Sequence, residues 1–201
     1  MLIFLYQSTS PPFSYFIYLH PNGSIQAVKK LYLAFSLSLL LSASAFGQVE
    51  QVVAHTKVIF IYNFSKYFDW PQDYRQGDFV IGVVNASPTL LVELNKLATQ
   101  KTSGNQKFVI KNYKSVEEID KCNILYIPEA SNNVLSEVVK KLHGTSTLLI
   151  TDSEGDAKKG AAINFIWKDN KQAFELNKSN AEKGHLNMSS SLRALAAVNI
   201  E

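Results

Sequence analysis

The sequence predicts an α/β protein: a three-layer sandwich on a mostly parallel sheet, with a C-terminal antiparallel β-hairpin and a helical tail. Three observations predict it. Short apolar runs alternate with helical stretches through the middle of the chain, as parallel strands joined by helical crossovers require. Two alternating segments flank Asp169-Asn170 near the end, the pattern of a hairpin. An almost wholly apolar stretch at 58–71, VIFIYNFSKYFDWP, opens the domain and as a helix must be buried on most of its surface.

Each element carries its own signals. The helix of 58–71 ends at Trp70, because Pro71 disfavours helical backbone at the residue before it. That ending puts the indole near the surface of the fold. DFVIGVV at 78–84 is a short apolar run, as a buried strand requires. Ser87 then serves as N-cap and Pro88 as first helical residue of SPTLLVELNKLATQ. KFVIKNY at 107–113 alternates as a strand, and SVEEID at 115–120 forms a short helical turn. CNILYIP at 122–128 is a second buried strand, leading into an amphipathic helix over 132–142, and TLLIT at 147–151 is a third. AAINFIWK and KQAFELN make the hairpin. Ser189, Ser190 or Ser191 caps a tail helix over SLRALAAV.

The start of the chain reads as a leader. Lys29-Lys30 precede the apolar run LYLAFSLSLLLSASAFG, and Ala45 and Gly47 are small residues placed for cleavage before Gln48. A positive n-region, an apolar h-region and small residues describe a secretory signal peptide over 28–47. Cleavage after Ala45 is the near alternative. The run is short of the roughly 20 apolar residues of a membrane span, so the mature chain carries no membrane anchor. Residues 1–27 hold no charged side chain, and Ser-Pro-Pro interrupts them. They read as an upstream extension with synthesis starting at Val28; a genuine long n-region is the alternative. From residue 48 onward the length suits one domain.

Composition excludes several function classes. The 20 basic and 17 acidic residues become 18 and 17 once the leader's two lysines are gone, and no basic stripe remains. Nucleic acid is therefore not the expected partner. Cys122 is the one cysteine, so no internal disulfide forms, and its place at a strand start suits a small buried hydrophobe. His55, His143 and His185 lie far apart and at no ligand spacing, and read as surface or capping residues. No nucleophile elbow, phosphate loop or dinucleotide fingerprint occurs, so no catalytic residue, metal ligand or cofactor is expected. Asp152, Glu154 and Asp156 resemble the start of a calcium loop, but Gly155 falls one place early and Ile163 takes position twelve. The segment reads instead as a solvated turn.

The ordered segments together resemble the YfiR family of small exported bacterial regulators, over roughly 52–198. Asn63, Phe64, Trp70 and Pro71 carry the resemblance in the first helix. Asp152, Gly155, Gly160, Ile163, Asn164 and Phe165 carry it in the turn and hairpin, and Phe174, Asn177, Gly184 and the Ser190-Ser191-Leu192 ending complete it. Two positions depart: Asp156 stands where the family usually has an aromatic residue, and Ala161 replaces a second glycine. Family members often carry more cysteines, and with Cys122 alone the intramolecular redox switch proposed for some of them cannot operate.

The resemblance implies a periplasmic protein that binds, and in the best-known arrangement represses, the periplasmic part of an inner-membrane diguanylate cyclase or sensor kinase. Trp70, Asn63, Asn164 and Asn177, among the residues that carry it, and Arg193, from its place on an otherwise apolar helix, are the candidates for partner or ligand contact. Asn164 and Asn177 read first as groups that satisfy buried backbone atoms beside the hairpin. Trp70 suits a core margin or a binding hot spot equally. Arg193 is either a solvent-facing residue or an anion contact on an apolar helix. The expected surface is where the first helix ends and the C-terminal helix packs. A small-solute receptor, with its ligand at the strand carboxyl ends, is the alternative function, a hydrolase trails both, and a homodimer stays open.

Overall fold

The computed structural model describes residues 24–201, with side chains in full from residue 48 onward. The predicted upstream extension lies almost wholly outside the described residues. The chain divides into two units between Phe46 and Gly47, the second spanning Gly47–Glu201. A single helix, α1, spans Ser24–Tyr67. Among the described residues, no helix is long and apolar enough to cross a membrane.

The second unit is built on an eight-stranded mixed sheet. Its strands are β2 (Phe79–Val84), β3 (Thr102–Ser103), β4 (Gln106–Tyr113), β5 (Ile124–Ile127), β6 (Leu148–Thr151), β7 (Ile163–Lys168), β8 (Lys171–Asn177) and β10 (Val198–Ile200). They lie in the order β10-β8-β7-β6-β5-β2-β4-β3. The run from β4 to β7 is parallel, β7 and β8 form the antiparallel hairpin, and β10 is parallel to β8. Helix α2 (Pro88–Gln100) and the last turns of α1 cover one face, and α3 (Leu135–Lys141) covers the other. This is the three-layer α/β sandwich that the alternation of apolar runs predicts.

Side-chain alternation along the strands divides the core in two. Phe79, Ile81 and Val83 of β2, with Ile124, Tyr126, Leu148 and Ile150, meet Ala54, Val58, Ile61 and Phe64 of α1. The four α1 residues recur at helical spacing, and burying Val, Ile and Phe side chains there contributes roughly 1.5–3 kcal/mol each. Val84, Leu125, Ile127 and Leu149 face the opposite way, onto Leu135 and Val138 of α3. Gly82 in mid-strand is required by Tyr113, whose ring edge would lie 2.5 Å from any added Cβ. Ser87 caps α2 as the sequence indicates, accepting from Leu90 N–H at 3.3 Å.

Several boundaries differ from expectation. Helix α1 stops at Tyr67, and Phe68–Asp69 (β1) pairs antiparallel with Asn187–Met188 (β9), which pulls the segment before Pro71 into extended backbone. Residues 115–120 make a turn closed by Ile119 N–H to the Val116 carbonyl, not a helix. The expected helix of 132–142 splits into a 3-10 segment over Glu129–Val134 and the α-helix α3. An unforeseen helix, α4 (Lys178–Lys183), follows the hairpin. The tail helix α5 is only Ser190–Leu195. After it, Ala197 N–H reaches the Phe174 carbonyl and the β-branched Val198 and Ile200 extend the sheet, so the hairpin is not its edge.

Candidate functional site

Of the five residues nominated from the sequence, Trp70 departs furthest from expectation. Its side chain is not presented outward: it is 4 % exposed, stacks edge-to-face on Phe79 at 5.0 Å, and donates its indole N–H to the Asn123 carbonyl at 3.2 Å. The cause is the β1–β9 pairing, which turns the chain inward before Pro71. Asn123 is the hub beneath it. Its amide accepts from Val80 N–H and donates to the Tyr74 carbonyl, both at 2.9 Å. Sequence reading missed Asn123, although a polar residue inside an otherwise apolar strand run was the available signal.

Asn164 and Asn177 are held by structural partners. Asn164 is fully buried on β7, accepts from the Thr151 hydroxyl at 2.9 Å and donates to the Glu175 carboxylate at 2.9 Å. Asn177 caps α4 by accepting from Asn180 N–H at 3.0 Å, and it donates to the Ala157 carbonyl at 2.8 Å. Asn63 is half-buried on α1, and its side chain makes no hydrogen bond among the described residues. Arg193 is 43 % exposed on α5 and pairs with Glu201 at 3.1 Å.

The carboxyl ends of β5 and β6 hold a charged cluster that the sequence reading did not assemble. Lys57 on α1 pairs with the Asp152 carboxylate and donates to the Tyr126 hydroxyl at 3.2 Å. Tyr126 in turn donates to Asp152 at 2.5 Å. Burial, and next the Asp152 charge, pushes the Tyr126 phenol well above its ordinary range, so it stays a donor. The cluster clamps α1 to the sheet through a desolvated pair.

The turn that follows is not solvated, contrary to expectation. Only Glu154 of its three acids is exposed, while Asp156 is fully buried and held by Lys159 at 3.2 Å and Asn132 at 3.5 Å. A carboxylate thus occupies the buried position where the resemblance leads one to expect an aromatic ring. Ala161 is likewise fully buried, its methyl group filling space beside Val139 and Leu149 on the α3 side of the sheet.

Two other titratable groups are set by their surroundings. Glu93 on α2 is buried and accepts from His55 at 2.7 Å; that hydrogen bond holds its carboxyl below the usual range. Cys122 is 1 % exposed, and burial pushes its thiol up to about 12, which leaves it without nucleophilic thiolate.

The end of α1 and the start of α5 share one surface. Besides the β1–β9 pairing, Ser189 N–H donates to the Tyr67 carbonyl at 2.9 Å. Leu192 anchors α5 in the core, and beyond it Arg193, Leu195 and Val198 stand exposed, Leu195 at 58 % and Val198 at 40 %.

The chain matches the YfiR/HmsC-like family model over residues 54–197. It belongs to the YfiR/HmsC-like family. No curated protein matches it. Among the described side chains of α1, the family span begins at the first buried one, Ala54, and it closes just before β10. It therefore takes in the Lys57 clamp, the buried turn at 152–156, the hairpin and the α5 surface up to Leu195, and leaves out Val198 and the N-terminal unit.

Proposed function

We propose that the protein is an exported periplasmic regulator that binds the periplasmic sensor part of an inner-membrane signalling protein, a diguanylate cyclase or a sensor kinase, and holds it inactive. The observation that carries this reading is the family match over residues 54–197. The leader pattern at 28–47 supports export. The docking surface in this reading is the junction of α1, β9 and α5, with Arg193, Leu195 and Val198 as contacts. Trp70 supports that surface from beneath as a core residue. Asn63, half-buried near the end of α1, is a further contact, while Asn164 and Asn177 keep the hairpin and α4 in place.

A pull-down from solubilised envelope with tagged protein tests the proposal. The expected result is a membrane protein with a periplasmic sensor segment and a cytoplasmic cyclase or kinase output, lost from the eluate with Leu195→Asp. Recovery of a solute permease as the specific partner would overturn it in favour of transport.

A further inference from the structure

We propose that the cavity between the end of α3 and the α4 turn binds a small amphipathic anion, a carboxylate or phosphate carried on an apolar body. This goes beyond the regulatory reading and does not depend on the identity of the protein partner. The cavity measures about 310 Å³, within the range of small-ligand sites, and lies at the amino ends of β6 and β7. Its floor is aliphatic: Val139, Leu142 and Leu149. Its mouth carries His143, His185 and Lys183, and no acidic side chain lines it. Two histidines separated by 42 positions in sequence thus meet in one cavity, a convergence that no sequence spacing reveals.

The polar side chains at the mouth are not paired with acids. Neither imidazole has an acidic partner among the described residues, and the acid next to Lys183 in sequence, Glu182, is turned to Lys178 at 3.4 Å. Lys183 spends one N–H on the Asn180 amide oxygen at 3.2 Å and keeps the others free. An aliphatic floor beside the Lys183 ammonium and two imidazole rings suits a ligand with an apolar body and a negative head.

His185 also sits in backbone that glycine would adopt more cheaply. Its φ is +54°, immediately after the end of α4, the position where helices usually place glycine. The conformation is enforced by His185 N–H to the Glu182 carbonyl at 2.9 Å and Leu186 N–H to the Ala181 carbonyl at 3.2 Å. The turn therefore fixes the direction in which the imidazole leaves the backbone. Gly160, at φ +127°, lets its loop approach α3 closely: an added Cβ would lie 2.6 Å from Val139.

Calorimetry and amide-shift mapping on the purified full chain test the inference, with phenyl phosphate and benzoate as probes and benzyl alcohol and benzamidine as neutral and cationic comparators. The expected result is saturable binding of the two anions, with shifts concentrated at residues 142–145 and 183–186. His185→Gly relieves the left-handed backbone, so it should melt no lower than the parent while weakening phenyl phosphate about tenfold, as loss of a hydrogen bond to a charged ligand does. Lys183→Met should weaken it similarly. Absence of saturable binding by either anion, equal binding of benzamidine, shifts centred elsewhere, or undiminished affinity in both variants would overturn the proposal.

Discussion

Trp70→Ala separates a core role from an interface role for the tryptophan that follows β1. The indole is 4 % exposed, and its removal empties a site walled by Phe79 at 5.0 Å and Phe68 at 6.2 Å. Buried Trp-to-Ala changes cost about 3–5 kcal/mol, of which each lost edge-to-face pair accounts for about 0.5–1.5. The lost hydrogen bond adds little, because the Asn123 carbonyl keeps its second donor, Leu148 N–H, at 2.8 Å. We expect a loss near 4 kcal/mol, which for a domain of this size lowers Tm by about 8–16 °C. Trp70→Phe, which keeps the ring contact, should cost about 1–2 kcal/mol. Thermal melts and urea titrations read both. Partner affinity, corrected for the folded fraction, should be unchanged in either variant. A Trp70→Ala protein that melts like the parent yet loses its partner would refute this reasoning and return the indole to the interface.

Lys57→Met should destabilise by about 3 kcal/mol, because it strands the Asp152 carboxylate away from solvent, and adding Asp152→Asn should recover more than half; urea midpoints of the two variants check this. The Glu93 carboxyl titrates below its ordinary range when folded, so its contribution is present above the unfolded carboxyl pKa and is lost as pH falls through the folded value. Unfolding free energy followed from pH 7 down to pH 3 should therefore drop on acidification, and His55→Ala should flatten that drop. The Cys122 thiol should resist aromatic disulfide reagents in the native protein and react at once in denaturant, and Cys122→Ala should cost about 1 kcal/mol without creating or removing an oxidant response.

Much of the fold was legible because it rests on local patterns. The runs at 79–84, 124–127 and 148–151 are apolar on both faces, and a parallel strand between two helical layers has to be. Asp169-Asn170 fixes the hairpin through its own backbone, at φ +50° and +58°, the type I′ geometry such pairs favour. What escaped depends on contacts between distant segments. The two-residue strand at 68–69 exists only because 187–188 lies beside it, and that pairing is what buries Trp70. The strand at 198–200 forms because the outer edge of β8 is unpaired without it, although SLRALAAV has helical composition throughout.

The candidate residues divide along the same line. Asn177 was legible as a backbone-satisfying group because it flanks the hairpin, but that it does so as the cap of α4 was not, since no helix was expected over 178–183. Lys57, Tyr126 and Asp152 were not legible as a unit, since 69 and 95 positions separate the lysine from its two partners. Asp156 was misread for a related reason: an acid beside a glycine suggests solvent, and only the packing of the loop at 129–134 over it takes the carboxylate out of water.

The most direct test of the account is site-specific photo-crosslinking in intact cells, with the reactive residue at Leu195 on the proposed docking surface or at Val92 on the outer face of α2, which is 65 % exposed. The account predicts an adduct from position 195, and none from position 92, with an inner-membrane protein carrying a cyclase or kinase output domain. Adducts with that protein from position 92 alone would contradict the assigned surface. Adducts from position 195 only with proteins that lack a signalling output would contradict the regulatory function itself.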